Sequence, residues 1–322
     1  MTGIQVLDRP ASQSFYAVAG RLLFIECLDL GLATLIEQLF AGWQLTSVSF
    51  PERNPDIKIT FALGHGLPQV PAGLHQFEVA EGGRCYSASD EYYLEFANSL
   101  LRLRDDESPV AVSVWIRQVP CRTDAELARV TSFAVCAALR RFGMFELHGA
   151  GVVVPDRETG VLIVGPSGSG KSTLASELAS AGWGYLSDDE LLLSLSDKKV
   201  EARGFRSFFA LTPVDLTSSL KSCFEPARVF AAPRVHSVVP SFVFFTAISG
   251  AKETQLHELT QAETMSRLIR ACPWATYDTA IAGANLQLLS ELARQVKGFD
   301  LRAGTDLLEP GRASLIIRAC TH

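Results

Sequence analysis

The sequence has no CxxC pair, no uninterrupted apolar run long enough for a bilayer, no excess of positive charge and no acid-tipped apolar strand late in the chain. Each absence closes a class. The seven cysteines stand singly, at 27, 85, 121, 136, 223, 272 and 320. An odd, scattered set fits neither a disulfide framework nor a thiolate metal site and points to a reducing compartment. The stretch 22–43 is broken by Glu26, Asp29 and Glu37, and 238–251 is short and contains Pro240, so neither reads as a membrane span. MTGIQVLDRP lacks the basic start and apolar core of an export signal. A net charge of −6 disfavours a polyanionic partner. The expectation is a cytoplasmic protein with no membrane and no nucleic-acid partner. Homo-oligomer formation is left open.

What is present is a full core. Apolar residues make up 48% of the 322 and charged residues 20%, enough for two domains of ordinary size. Residues 14 to 120 alternate short β-like runs (FYAVAGRLLFIEC, KITFAL, FEVA, RCYSAS, YYLEFA, VAVSVWI) with Pro, Gly, Asn and Asp. DLGLATLIEQLFAGW reads as a helix among them. No chemical motif lies here. Thr123 and Glu126 then form a T-x-x-E capping box before a helix-spaced apolar series, Leu127 to Phe142. This predicts an α+β domain over 1–122, of unknown role, and an α/β nucleotide-binding domain over 123–322. In the second domain, KVEARGF and SFVFFTAI read as strands. A capping box at Thr260 and Glu263 opens a helix, ANLQLLSELARQV forms a last helix, and short strands close the chain.

The strongest signal is Gly165-Pro166-Ser167-Gly168-Ser169-Gly170-Lys171-Ser172, a complete G-x-x-x-x-G-K-[ST] phosphate loop followed by Thr173. VLIV before it reads as a buried strand, and STLASELASAG after it as a helix. Such a loop turns backbone N–H groups and a helix N-terminus toward phosphate oxygens. Lys171 adds a mobile charge for the β and γ phosphates, and Ser172 a hydroxyl for Mg²⁺. The ligand implied is ATP, or another nucleoside triphosphate, with Mg²⁺.

Two further features lie close by. Asp188 and Asp189 open YLSDDELLLSL, read as one strand. On a regular strand neighbours face opposite ways, so only one of the two would meet the phosphates, as metal ligand or proton acceptor. PDRETG reads as a turn between ELHGAGVVV and GVLIVG. Centred between Arg157 and Glu158, it sets His148 opposite position 167, to within about two residues. His148 would then touch phosphate or acceptor, with Gly149 permitting close approach. Arg203 and Arg206 are weaker candidates for phosphate contact and read first as ordinary surface charges.

Taken together, His-Gly, a hairpin, G-P-S-G-S-G-K-S-T, a helix ending in A-G and an Asp-Asp pair resemble the HPr kinase/phosphorylase family and its relatives, among them kinases of peptide serines. The resemblance covers about 124–210. It implies the family's C-terminal phosphate-loop fold with mixed sheets, related to PEP carboxykinase, beside a smaller, variable N-terminal domain. It implies that His148, Lys171 and Asp188 are active-site residues, with Asp188 taking the serine proton, Asp189 supporting it, and Ser172, Asp188 and Asp189 near the metal. The chain also departs from the family. Thr173 stands where a glutamate follows G-K-S, Glu201-Ala202-Arg203-Gly204 only echoes L-E-x-R-G-x-G, and Gly283-Ala284-Asn285 lacks the arginine of G-R-N. The expected activity is Mg–ATP-dependent transfer to a hydroxyl, foremost a serine of a peptide or small protein. A small-molecule alcohol kinase and a non-catalytic ATP-binding partner are the alternatives.

Overall fold

The structure, a computed structural model, describes residues 10–64, 66–79, 82–88, 91–118, 125–155, 157–211 and 222–321. It is a mixed α/β protein of two compact units: 1–142 with 276–283, and 143–275 with 284–322. The predicted boundary at 122 therefore moves to 142. Helix Ala125–Arg140, expected to open the second domain, buries Leu127, Val130, Ala134 and Ala138 and packs on strands Ser99–Arg104 and Val110–Ile116 of the first unit. Thr123 and Cys121 lie outside the described residues. Glu126 instead accepts hydrogen bonds from the Asn98 amide and the Ser99 hydroxyl.

The first unit is a nine-stranded mixed sheet. Its centre is Arg21–Cys27, Ile57–Leu63 and Val110–Ile116, paired in parallel, and a meander of four strands, 75–104, extends it. The strand Ser99–Arg104 was not foreseen, because SLLRLR carries charge inside its apolar pattern. Helix Leu30–Phe40 begins where Asp29 accepts the Leu32 amide at 2.8 Å. Segment 276–283 belongs to this unit through three contacts. Asp278 binds Arg141 at 2.6 Å and Arg140 at 3.6 Å, Thr279 bonds Ser87 at 3.1 Å, and the Tyr277 carbonyl accepts from the Cys85 thiol at 3.3 Å.

The second unit is another nine-stranded mixed sheet, in the order Ser237–Val238, Lys199–Gly204, Glu190–Ser196, Met144–Val153, Gly160–Val164, Pro240–Ile248, Lys297–Ala303 and Gln255–Leu259, with Gly184–Ser187 pairing beside the end of Met144–Val153. Gly160–Val164, Pro240–Ile248 and Lys297–Ala303 run parallel, with Val164 ending level with Phe245 and the other two strands continuing to Ile248 and Ala303. In open α/β sheets ligands bind at such carboxyl ends. Helix Lys171–Ser180 buries Leu174, Ala175 and Leu178 against Ile163, Trp183 and Phe244. The capping box at Thr260 forms as predicted, with both reciprocal bonds, and opens helix Gln261–Ala271. Of the short strands expected after the helix Ala282–Gln295, Lys297–Ala303 forms, and a helix, Arg312–Cys320, follows it. Ala313 and Ile317 are buried in the core, and the Trp183 indole donates to Ser314 at 2.9 Å. The cysteines at 27, 85, 136, 223, 272 and 320 are free thiols. Among the described residues no helix is long and apolar enough to cross a membrane.

Candidate functional site

The phosphate loop is built by what its glycines omit. Gly168 and Gly170 have φ of +78° and +89°, the left-handed region where a side chain is strained. At Gly165 a Cβ would stand 2.5 Å from Ser169 Oγ and 2.7 Å from the Thr246 carbonyl, so the loop can close on the neighbouring strand only with glycine there. Ser169 Oγ lies 3.1 Å from Thr246 Oγ1, tying loop to strand. Lys171 is buried, and its ammonium donates to the Gly165 and Pro166 carbonyls at 2.8 and 3.0 Å. These are the loop's own oxygens, so the cation is held over the cradle.

The hairpin before the loop forms with Gly149 opposite Val164 and Val153 opposite Gly160, which brings His148 level with Gly165 rather than with 167. Gly149 is explained differently from the sequence reading. A Cβ there would meet the Ile163 carbonyl at 2.9 Å, so the glycine serves the partner strand, not a ligand. On its other side His148 pairs with Glu190.

The two aspartates are not on one regular strand. Gly184–Ser187 ends and Glu190–Ser196 begins, with Asp188 and Asp189 in the bend between, beside a register shift at Gly151 and Val152. The break, rather than strand alternation, separates the two: Asp189 lines the cavity over the loop, and Asp188 lies buried behind it beside Ser172. Their surroundings differ. Asp188 is 1% exposed; its Oδ2 accepts the Ala210 amide at 2.8 Å, and its Oδ1 has no hydrogen-bond partner. Burial pushes its pKa up to about 6; the charge of Asp189 adds to this, and the Ala210 amide and Ser172 hydroxyl offset part of it. Ser172 Oγ lies 3.4 Å from the Asp188 carbonyl. Asp189 is half-exposed, and its Oδ1 lies 3.4 Å from His148 Nδ1.

Three cavities meet here. One of about 250 Å³ lies over the loop, lined by Ser167, Gly168, Lys171, Ser172, His148 and Asp189 among others. A second, of about 300 Å³, shares Gly170, Thr173 and Ile248 with it and continues into an apolar slot between Leu174, Leu301, Leu307 and Leu308. A third, of about 520 Å³, shares His148 with the first and is lined by Phe245, Arg267, Arg270 and Asp300. Strand alternation explains the contrast. Ile248, Leu301 and Ala303 face the slot, whereas Phe245, Ala247 and Asp300 face the charged cavity, so the two lie on opposite faces of the sheet, with the loop at the strand ends between them.

Arg203 and Arg206 make ordinary ion pairs, with Glu201 and Glu190, each at 2.8–2.9 Å. Asn285 is buried and lines none of the three cavities. Arg267, Arg270 and Asp300 were missed in the sequence. They lie about a hundred residues beyond the loop, in a helix and a strand with no motif, and only the sheet topology brings them near His148.

No protein-family model matches the chain, and no curated protein does. Among solved structures it is similar to the Hpr(Ser) kinase/phosphatase from Coxiella burnetii, at 12% identity and a TM-score of 0.33 over 55% of this chain and 96% of that one. The distant neighbour is a kinase/phosphatase, and the reading of this site rests on its own geometry.

Among the described residues no three His, Cys, Asp or Glu side chains cluster as a ready-made metal cage. The set nevertheless fits a magnesium ion that arrives with a nucleotide. Such an ion takes one or two carboxylates and keeps the rest of its shell for phosphate and water. Asp188 supplies a buried oxygen without a partner, and Ser172 a hydroxyl beside it.

Proposed function

We propose that the protein is a Mg–ATP-dependent phosphotransferase that phosphorylates a hydroxyl, foremost a serine of a peptide or small protein. One observation carries this reading. A buried carboxylate, Asp188, stands beside the loop's Ser172, and among the described residues no Lys, Arg or His nitrogen lies within 4.0 Å of it. A buried anion without a cation is costly unless a ligand brings the charge.

The roles follow from place. The loop amides and Lys171 bind the β and γ phosphates. The apolar slot receives the nucleobase, where Leu301 and Leu307 bury its faces. Asp188 and Ser172 hold the metal, which when bound neutralises the charge of the triphosphate. Asp189 lines the loop cavity and Asp188 does not, so Asp189, oriented by His148, meets the incoming hydroxyl. This reverses the division of labour that the family resemblance implies. The hydroxyl oxygen bonds to the γ-phosphorus as the bond from that phosphorus to the β-bridging oxygen breaks. ADP leaves, and the hydroxyl proton passes to Asp189.

A small-molecule alcohol as acceptor is favoured by one observation, the arginines of the cavity beyond His148. The test is transfer of label from γ-labelled ATP into a fractionated cell extract. Wild type should label one discrete acceptor, and its mass separates peptide from metabolite. Lys171→Ala should label none. Equal labelling by wild type and Lys171→Ala would sink the proposal.

A further inference from the structure

The third cavity has a composition that names what it takes. Its apolar floor, Val164, Phe245 and Ala271, and its volume of about 520 Å³ suit an organic ligand rather than a lone ion. Its charges are unevenly committed. Asp300 is engaged on both oxygens, by Arg267 at 2.6 Å and by Arg302 at 3.3 Å. Arg267 is also fixed over the Phe245 ring, 5.5 Å from its centroid. Arg270 differs. Its guanidinium reaches only Ser266, one turn back on the same helix, at 3.0 and 3.4 Å, and among the described residues it has no carboxylate partner. One guanidinium is thus left unclaimed in a cavity whose other wall is His148, and His148 also lines the cavity over the phosphate loop.

We infer that this cavity is the acceptor site and that the acceptor carries a carboxylate close to its reacting hydroxyl, bound by Arg270. A singly charged group matches one uncommitted guanidinium, which grips a carboxylate through two parallel N–H donors. The hydroxyl then enters the loop cavity past His148 and Asp189, on the face of the sheet opposite the nucleobase. This deepens the phosphotransferase reading and rests on it. In a peptide the carboxylate belongs either to an acidic side chain beside the serine or to the chain terminus.

The test uses the full chain with a saturating non-hydrolysable Mg–ATP analogue and three probes: N-acetyl-L-serinamide, N-acetyl-L-serine, and N-acetyl-Ser-Glu-amide, whose acid is in a side chain. Affinity is read by ligand-observed NMR. At least one acidic probe should bind about tenfold more tightly than the neutral one, the scale of one charge-assisted hydrogen-bonded pair. Whichever acid binds better identifies the source of the carboxylate. Arg270→Glu, an exposed substitution that leaves the sheet and loop untouched, should erase the preference with nucleotide affinity unchanged. Equal binding of all three probes by wild type, or a preference that survives in Arg270→Glu, overturns the inference. Transfer of label from γ-labelled ATP is measured on the same probes. Acid-selective binding without transfer upholds the carboxylate site and overturns the phosphotransferase reading instead.

Discussion

Each unit of the molecule buries an aspartate almost completely, and the two are treated in opposite ways. Asp278, in the first unit, lies against two arginines: Arg141 at 2.6 Å and the fully buried Arg140 at 3.6 Å. Asp188, in the second, has only an amide, a hydroxyl and an acidic neighbour beside it; each aspartate has one oxygen without a hydrogen-bond partner, but among the described residues only Asp278 is paired with a cation. The first charge is compensated by the fold. The second is left for something the fold does not contain. Burial alone does not distinguish a structural carboxylate from a functional one; the presence or absence of a resident cation does.

The comparison can be broken at its strongest point first. Asp278→Ala removes the carboxylate shared by two buried arginines, leaving Arg141 its pair with Asp105 at 2.9 Å, and should cost about 3–5 kcal/mol, read as a lowered urea midpoint of the first unit. A loss below about 1 kcal/mol would mean that the pair behaves like a surface salt bridge and that the contrast is empty.

The next two variants divide the adjacent aspartates. Asp188→Asn should weaken Mg–nucleotide binding about a hundredfold, or about 2.7 kcal/mol, with magnesium-free binding much less affected. Asp189→Asn should keep that affinity and lower the transfer rate at least about a hundredfold, the scale of a lost general base. Calorimetric titration and single-turnover labelling separate the two. The reverse pattern would restore Asp188 as the base. A smaller effect belongs to His148→Ala, which removes the 3.4 Å contact that orients Asp189. Turnover should fall about tenfold with nucleotide affinity unchanged, and an unaltered rate would remove His148 from the site.

The sequence carried the parts of this picture that are local. G-P-S-G-S-G-K-S between an apolar strand and a helix forms the loop it predicts, because glycine geometry and strand–helix order are set within a few residues. The hairpin that brings His148 to the loop was legible to two residues of register. What failed was non-local or irregular. The domain boundary was misplaced because the helix 125–140 looks the same whichever sheet it covers. The Asp188–Asp189 bend was hidden inside an apolar run that reads as one strand. The charged cavity is assembled from a helix and four strands spread from His148 to Asp300, and no spacing rule joins them.

The central claim is that the Asp188 carboxylate is buried without compensation until magnesium and nucleotide arrive, and the stability difference between Asp188→Asn and wild type tests it most directly. With a folded-state pKa near 6 against 3.8 for the ordinary group, the folded protein holds the proton more tightly than the unfolded chain. The penalty is therefore absent below about pH 4, grows as pH rises through 6, and is complete above it, at up to about 3 kcal/mol. The asparagine variant should unfold at higher denaturant than wild type at pH 8 and at the same denaturant at pH 4. Saturating Mg–ATP analogue should close the gap at pH 8 by stabilising wild type more. If the variant is no more stable at pH 8, and the nucleotide stabilises both proteins equally, the buried carboxylate is not the group that awaits the metal.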